Sequence, residues 1–299
     1  MVVNVSYFFH FEDDPSIQTN VQRAAAILFA TAEFRKLVCS GKLQPEKVGK
    51  KQIPLCSAAY KYMFNACRIP RAVQDSYRIY DPSLHTHAIV ARKGHFFTIE
   101  LVDQSGDPLP VGIIEEQVKE CIVVADAIPS SRPKLGLLTA SNRDNWTDAR
   151  KKLLSVGGGE MEEALERLES GAILVNLDDD KPVAKQDCGE IFLSGGLKNG
   201  ENRWFDKSIQ IMVEENGKSA FLGEHSMSDG MPMVNYANYI SSLTYAALKE
   251  QSAFGVRDVP KVKDIFGAVV DKIDEKILED LEVQGEFLIH STVSAFVAF

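Results

Sequence analysis

Between positions 20 and 38, Val21, Ala24, Ala25, Leu28, Phe34, Leu37 and Val38 recur at three- and four-residue spacing. That period predicts an amphipathic helix facing a core. Tyr60, Phe64 and Cys67 form a second helical stripe. Further along the period shortens: residues 85–91 and 95–102 flank Arg92-Lys93-Gly94, so two strands joined by a short turn are expected. Residues 112–125 read as a helix and 135–139 as a short buried strand. Residues 144–156 and 160–168 read as helices on either side of a flexible Gly157-Gly158-Gly159 linker. Residues 172–177 are apolar without interruption apart from Asn176, which suits a strand buried on both faces.

The stretch from 208 to 251 carries the most information. Residues 209–213 and 219–222 are strand-like and are separated by a segment centred on Asn216-Gly217, a pairing typical of hairpins. A polar loop follows, Glu224-His225-Ser226-Met227-Ser228-Asp229-Gly230, and Pro232 then suits the first turn of a helix expected over 233–248. Helical and strand patterns alternate without a fixed repeat, which reads as mixed α/β or α+β.

Composition narrows the function. Lys plus Arg number 33 against 42 Asp plus Glu, a net charge of -9, which argues against binding the phosphate backbone of nucleic acid. The longest uncharged run, residues 230–248, is broken by Pro232, Asn235, Asn238 and several hydroxyl residues, so no transmembrane segment is read. The opening residues reach Glu12-Asp13-Asp14 without a basic start and apolar run, so no secretory signal is legible. Five cysteines without a C-x-x-C pair suit reduced thiols in an intracellular compartment.

A histidine just past a strand and shortly before a helix sits where rigid elements commonly present catalytic groups. His225 is therefore a candidate general base, with a hydrogen-bonded loop histidine as the alternative. Asp229 either orients neighbouring groups or caps the helix that follows. The other candidates carry less. His85, His87 and His95 include an H-x-H pair without a third ligand motif, so no metal is expected there. The triple glycine lacks the lysine and hydroxyl residue of a phosphate-cradling loop, and Ser226 lacks the G-x-S-x-G elbow of a nucleophile. Cys56 and Cys67 fall on an apolar pattern where buried thiols are usual.

Four stretches together carry a resemblance. They are Pro54-Leu55-Cys56 through Cys67-Arg68-Ile69-Pro70, residues 138–146 (Leu-Thr-Ala-Ser-Asn-Arg-Asp-Asn-Trp), Gly195-Gly196, and Asn202-Arg203-Trp204-Phe205-Asp206-Lys207-Ser208 followed by the E-H-S-x-x-D-G loop. In this order and spacing, from about Tyr7 to about Glu275, the chain resembles the carnitine/choline acyltransferase family. Its loop looks most like that of fungal-type carnitine acetyltransferases.

The resemblance implies an α/β fold with a mixed sheet flanked by helices, chloramphenicol-acetyltransferase-like, of which this chain is one half of a two-lobed enzyme. It implies reversible transfer of an acetyl or other short acyl group between coenzyme A and carnitine, with His225 as catalytic base and Asp229 as supporting residue. Coenzyme A is then a co-substrate and no cofactor or metal is bound permanently. Residues 1–255 would be the catalytic-histidine half and 256–299 the start of a second half, cut short, with an atypical apolar tail. Family members are about twice as long, and their second half supplies the coenzyme A site and the groups that stabilise the oxyanion. Turnover by this chain alone is not expected from the resemblance. A catalytically silent fragment that acts by association through an exposed half-tunnel surface is one alternative. A choline or longer-chain acyltransferase is another. The family's compartments, mitochondria and peroxisomes, are implied without a legible signal. Arg71 stands where the family often has a small residue.

Overall fold

The computed structural model describes residues 6–17, 19–196, 198–251 and 258–270. Residues 271–299, most of the segment expected to begin a second half together with its apolar tail, lie outside the described residues. Eleven strands are described: β1 (Tyr7–His10), β2 (Lys47–Val48), β3 (Ile53–Pro54), β4 (Ala66–Ile69), β5 (Ser76–Ile79), β6 (His87–Arg92), β7 (His95–Glu100), β8 (Leu174–Leu177), β9 (Ile209–Val213), β10 (Ser219–Gly223) and β11 (Lys263–Asp264). The helices are α1 (Asn20–Cys39), α2 (Val111–Ala127), α3 (Arg143–Ser170), α4 (Lys185–Ser194), α5 (Gly230–Ser242), α6 (Tyr245–Gln251) and α7 (Gly267–Val270).

Seven strands form one mixed sheet in the order β1-β10-β9-β8-β6-β7-β11. The central pairs β9–β8 and β8–β6 are parallel, and the flanking pairs are antiparallel. Side chains alternate across it. Ala88, Val90, Val175, Leu177, Ile209, Ile211 and Phe221 enter a core covered by α1, α2, α5 and α6. Ile89, Ala91, Phe96 and Leu174 point to the opposite face, under α3 and α7, where Trp146 and Trp204 are buried. Met212, Ala220 and Leu222 complete that face against Phe192 of α4. Period-two alternation in strands with two covered faces explains why β8 reads as a continuous apolar run.

The expected helix over 20–38 and hairpin over 85–102 are present. Lys93 (φ 50°) and Gly94 (φ 72°) both adopt left-handed backbone, as a two-residue turn between twisted strands requires. At the second hairpin Gly217 alone is left-handed (φ 80°), and the Glu214 amide donates to the Lys218 carbonyl at 2.9 Å. The turn thus spans three residues, with glycine at its bulge position.

Four local readings are corrected and one break is confirmed. The stripe of Tyr60, Phe64 and Cys67 is not a helix: a 3-10 turn (Ala58–Tyr62) stops before Asn65 (φ 53°), and Cys67 pairs in β4 with Arg78 of β5. Residues 135–139 are a 3-10 helix (Leu135–Ala140), where a Cβ at Gly136 would fall 2.4 Å from the Glu201 carbonyl oxygen. The triple glycine does separate two helical arms, as read: Gly158 (φ 55°, ψ -142°) leaves the helical backbone inside α3, which is two helices meeting at a kink. The helix expected over 233–248 breaks at extended Leu243, and the Tyr245 amide restarts it by donating to Asp14 Oδ2 at 2.8 Å. Cys56 is exposed rather than buried, because it lies in the loop after β3.

Candidate active site

β10 ends at Gly223, α5 begins at Gly230, and His225 sits on the loop between them. Its side chain is 52% exposed. The ring packs edge-on against Tyr7 of β1, with centroids 5.0 Å apart and planes at 81°. Tyr7 stands opposite Gly223 in the β1–β10 register, and a Cβ at 223 would fall 2.7 Å from the Tyr7 ring. Glycine at the strand end is thus what lets the tyrosine reach the histidine. The Tyr7 hydroxyl donates to the Ser228 carbonyl at 3.3 Å. Burial, with Asp229 and Glu224 nearby, pushes its pKa well above the ordinary tyrosine value, so Tyr7 stays protonated and acts as a donor.

Asp229 lies 3.9 Å from His225 Nε2 through its Oδ1, too far for a hydrogen bond. The same oxygen accepts the Gly230 amide at 2.7 Å, so Asp229 is the N-cap of α5. Of the two readings of this carboxylate, capping is the one its hydrogen bonding displays. Its charge still stands beside the ring.

The loop is fixed from behind by residues that sequence reasoning did not single out as functional. Glu224, 1% exposed, accepts from the Ser226 amide at 3.2 Å and from the Ser226 hydroxyl, and pairs with Arg68 at 3.0 Å. Arg68 and Arg143 both bind Asp75 Oδ2, at 2.7 and 2.6 Å. Arg143 reaches Asp206 Oδ1 at 2.8 Å, and the Trp146 indole donates to Asp206 Oδ2 at 2.7 Å. Charges of alternating sign thus run from the loop into the core. Burial raises the Asp206 pKa to about 6, against the pull of Arg143. Its neighbour Lys207 is buried, donates to the Glu169 carbonyl at 2.6 Å, and has its pKa lowered to about 8 by desolvation. The signal was present in the motifs around Arg68, Arg143 and Asp206, but only folding shows that they form one chain.

The remaining candidates are scattered. Nε2 of His87 lies 2.8 Å from the Arg167 carbonyl and that of His95 2.9 Å from Lys134, and burial lowers both pKa values to about 4. Among the described residues no group of three or more His, Cys, Asp or Glu is arranged to hold a metal ion. Nor is any described helix long and apolar enough to cross a membrane.

Comparison with known proteins defines the class. Residues 1–286 match the family described as choline/carnitine O-acyltransferase. The chain belongs to this family. It is 30% identical over 271 residues to mitochondrial carnitine O-palmitoyltransferase 2 of Rattus norvegicus, covering 80% of this chain and 40% of that protein. It is 25% identical to human carnitine O-acetyltransferase, over 78% of this chain and 38% of that protein. A highly reducing polyketide synthase, ltbA of Aspergillus luteorubrus, is 34% identical over 225 residues, 74% of this chain and 6% of that protein. The chain spans about two fifths of the length of the two carnitine enzymes.

Proposed function

We propose that this chain carries the proton-transfer half of an acyltransferase that moves an acetyl or other short acyl group between coenzyme A and carnitine, with His225 as general base. The observation that carries the reading is the half-exposed imidazole on a loop anchored by a buried carboxylate. In the forward direction a ring nitrogen of His225 takes the proton of the carnitine hydroxyl as its oxygen attacks the thioester carbonyl. The tetrahedral intermediate collapses with cleavage of the carbon–sulfur bond, and the imidazolium returns the proton to the departing thiolate. No acyl-enzyme forms, and the reverse reaction uses the same proton in the opposite sense. Asp229, 3.9 Å from Nε2, supports the imidazolium formed in transit.

A positioned base contributes about 10²–10⁴-fold by itself. A base alone supplies only part of the barrier reduction, so any carnitine-dependent release of thiol from acetyl-coenzyme A by this chain should be slow and should be lost in His225→Ala. Of the two compartments implied, mitochondrial and peroxisomal, the carnitine O-palmitoyltransferase 2 relatives, named as mitochondrial, support the first. The polyketide synthase, whose identity to this chain exceeds that of both carnitine enzymes, favours a second reading: the same base acting on a polyketide acyl chain. Comparing acetyl, palmitoyl and β-hydroxyacyl thioesters as donors, with carnitine and choline as acceptors, separates the readings.

A further inference from the structure

We propose that the cleft between the β4–β5 hairpin and α3 is a binding site for an organic phosphate bearing a planar group, of the nucleoside diphosphate kind. The site is distinct from the His225 loop and requires no acyl transfer. Its cavity measures about 440 Å³, within the range of small-molecule sites. Arg71, Arg78, Arg150 and Lys151 line it against a single carboxylate, Glu169. In a chain whose acidic residues outnumber its basic ones by 42 to 33, this is a local reversal of charge.

The lone carboxylate is already occupied. Glu169 Oε1 pairs with Arg150 at 2.5 Å, and Oε2 accepts the Tyr80 hydroxyl at 2.9 Å. The other cations keep their capacity for an anion. The Arg71 side chain donates to the Ser76 hydroxyl at 2.7 Å and pairs with no carboxylate among the described residues. Arg78 lies 3.7 Å from Glu166, and the Lys151–Asp148 pair is exposed on both sides, so water and salt weaken both contacts. Guanidinium forks match phosphate oxygens two at a time.

The rest of the lining suits a planar body. Tyr77 is 54% exposed and is held edge-on by Tyr62 at 5.1 Å, which leaves a ring for stacking beside the cations. The loop that presents Arg71 is strained: Val73, a β-branched residue, has φ 72° and projects fully into solvent. Asp75 holds that loop in place by accepting the Arg71 amide at 3.2 Å. Strain kept in this way is commonly found at ligand-binding loops.

The test is titration calorimetry of the chain with ADP, without added metal, at about 50 mM salt, where screening is moderate. One saturable site is expected. Arg71→Glu and Lys151→Glu should each weaken it by at least about tenfold, and Lys50→Glu, a reversal on the exposed surface elsewhere, should not. Tyr77→Ala should weaken ADP more than inorganic pyrophosphate. Circular dichroism of each variant verifies the fold. Coenzyme A displacing ADP identifies the nucleotide end of a coenzyme A ester as the source, and failure to displace it identifies a free nucleotide. No saturable ADP binding, or binding indifferent to both cleft reversals, overturns the proposal. His225→Ala should leave ADP affinity unchanged, so loss of thiol release with ADP binding intact bears on His225 alone.

Discussion

Glu224 Oε1 and an Arg68 guanidinium nitrogen lie 3.0 Å apart, although the two residues are 156 positions apart in the chain. The carboxylate directly before His225 is thereby fastened to β4, and its other oxygen holds the amide of Ser226 directly after it. The loop that presents the imidazole is clamped on both sides of the residue it presents.

Removing one partner of this pair leaves a buried charge without compensation. Arg68→Met should lower unfolding stability by about 3–5 kcal/mol, because Glu224 cannot regain water without moving the loop. Glu224→Gln keeps the shape and an acceptor for Ser226, and should cost less, about 1–2 kcal/mol. Urea denaturation of the two variants checks the order. Equal and negligible effects would mean that the clamp is not what holds the loop.

Asp229 combines a cap with a charge, and two substitutions separate them. Asp229→Asn retains a side-chain oxygen for the Gly230 amide and should leave stability within a few tenths of a kcal/mol while slowing acyl transfer about tenfold. Asp229→Ala loses both and should be destabilised by about 0.5 kcal/mol as well. Paired measurements of melting temperature and thiol release distinguish the outcomes.

Gly223→Ala should drive the Tyr7 ring away, since the new methyl would fall 2.7 Å from it. A stability loss of about 1–3 kcal/mol is expected. The imidazole resonances of His225 should also shift in NMR spectra, because the tyrosine ring no longer lies against them. Tyr7→Phe keeps the ring, and so should preserve those shifts while losing the bond to Ser228.

At the far end of the sheet, Glu214 is buried beside Asp178, Asp179 and Asp180, and desolvation raises its pKa to about 9 against the pull of Arg203. Neither of its carboxylate oxygens has a hydrogen-bond partner among the described residues. A carboxyl with a raised folded pKa binds its proton more tightly folded than unfolded. Its contribution is therefore complete below the unfolded value near 4.3 and is lost as pH rises towards 9. Thermal unfolding of Glu214→Gln should show a gain over the parent that grows from pH 5 to pH 9. A constant difference would contradict the assignment.

The strands and helices that share one period over several residues were legible, as in α1, β6–β7 and β8. Short segments were not. Tyr60, Phe64 and Cys67 fit a helical spacing, but Asn65 turns the backbone and pairing with β5 outweighs the local pattern. Gly158, by contrast, reads as a break and is one, since its non-helical backbone divides α3 into two arms. His225 and Asp229 were visible because their motif is continuous in sequence. The support from Arg68, Asp75, Arg143 and Tyr7 was not, because pairs formed across strands leave no local spacing to read.

On the proposed reading, His225 moves the proton of acyl transfer. Its most direct test follows free thiol released from acetyl-coenzyme A in the presence and absence of carnitine, comparing this chain with His225→Ala, both verified as folded. Whatever slow, carnitine-dependent release the parent shows should fall by a factor of about 10²–10⁴ in the variant. Carnitine-dependent release undiminished in His225→Ala would contradict the assignment.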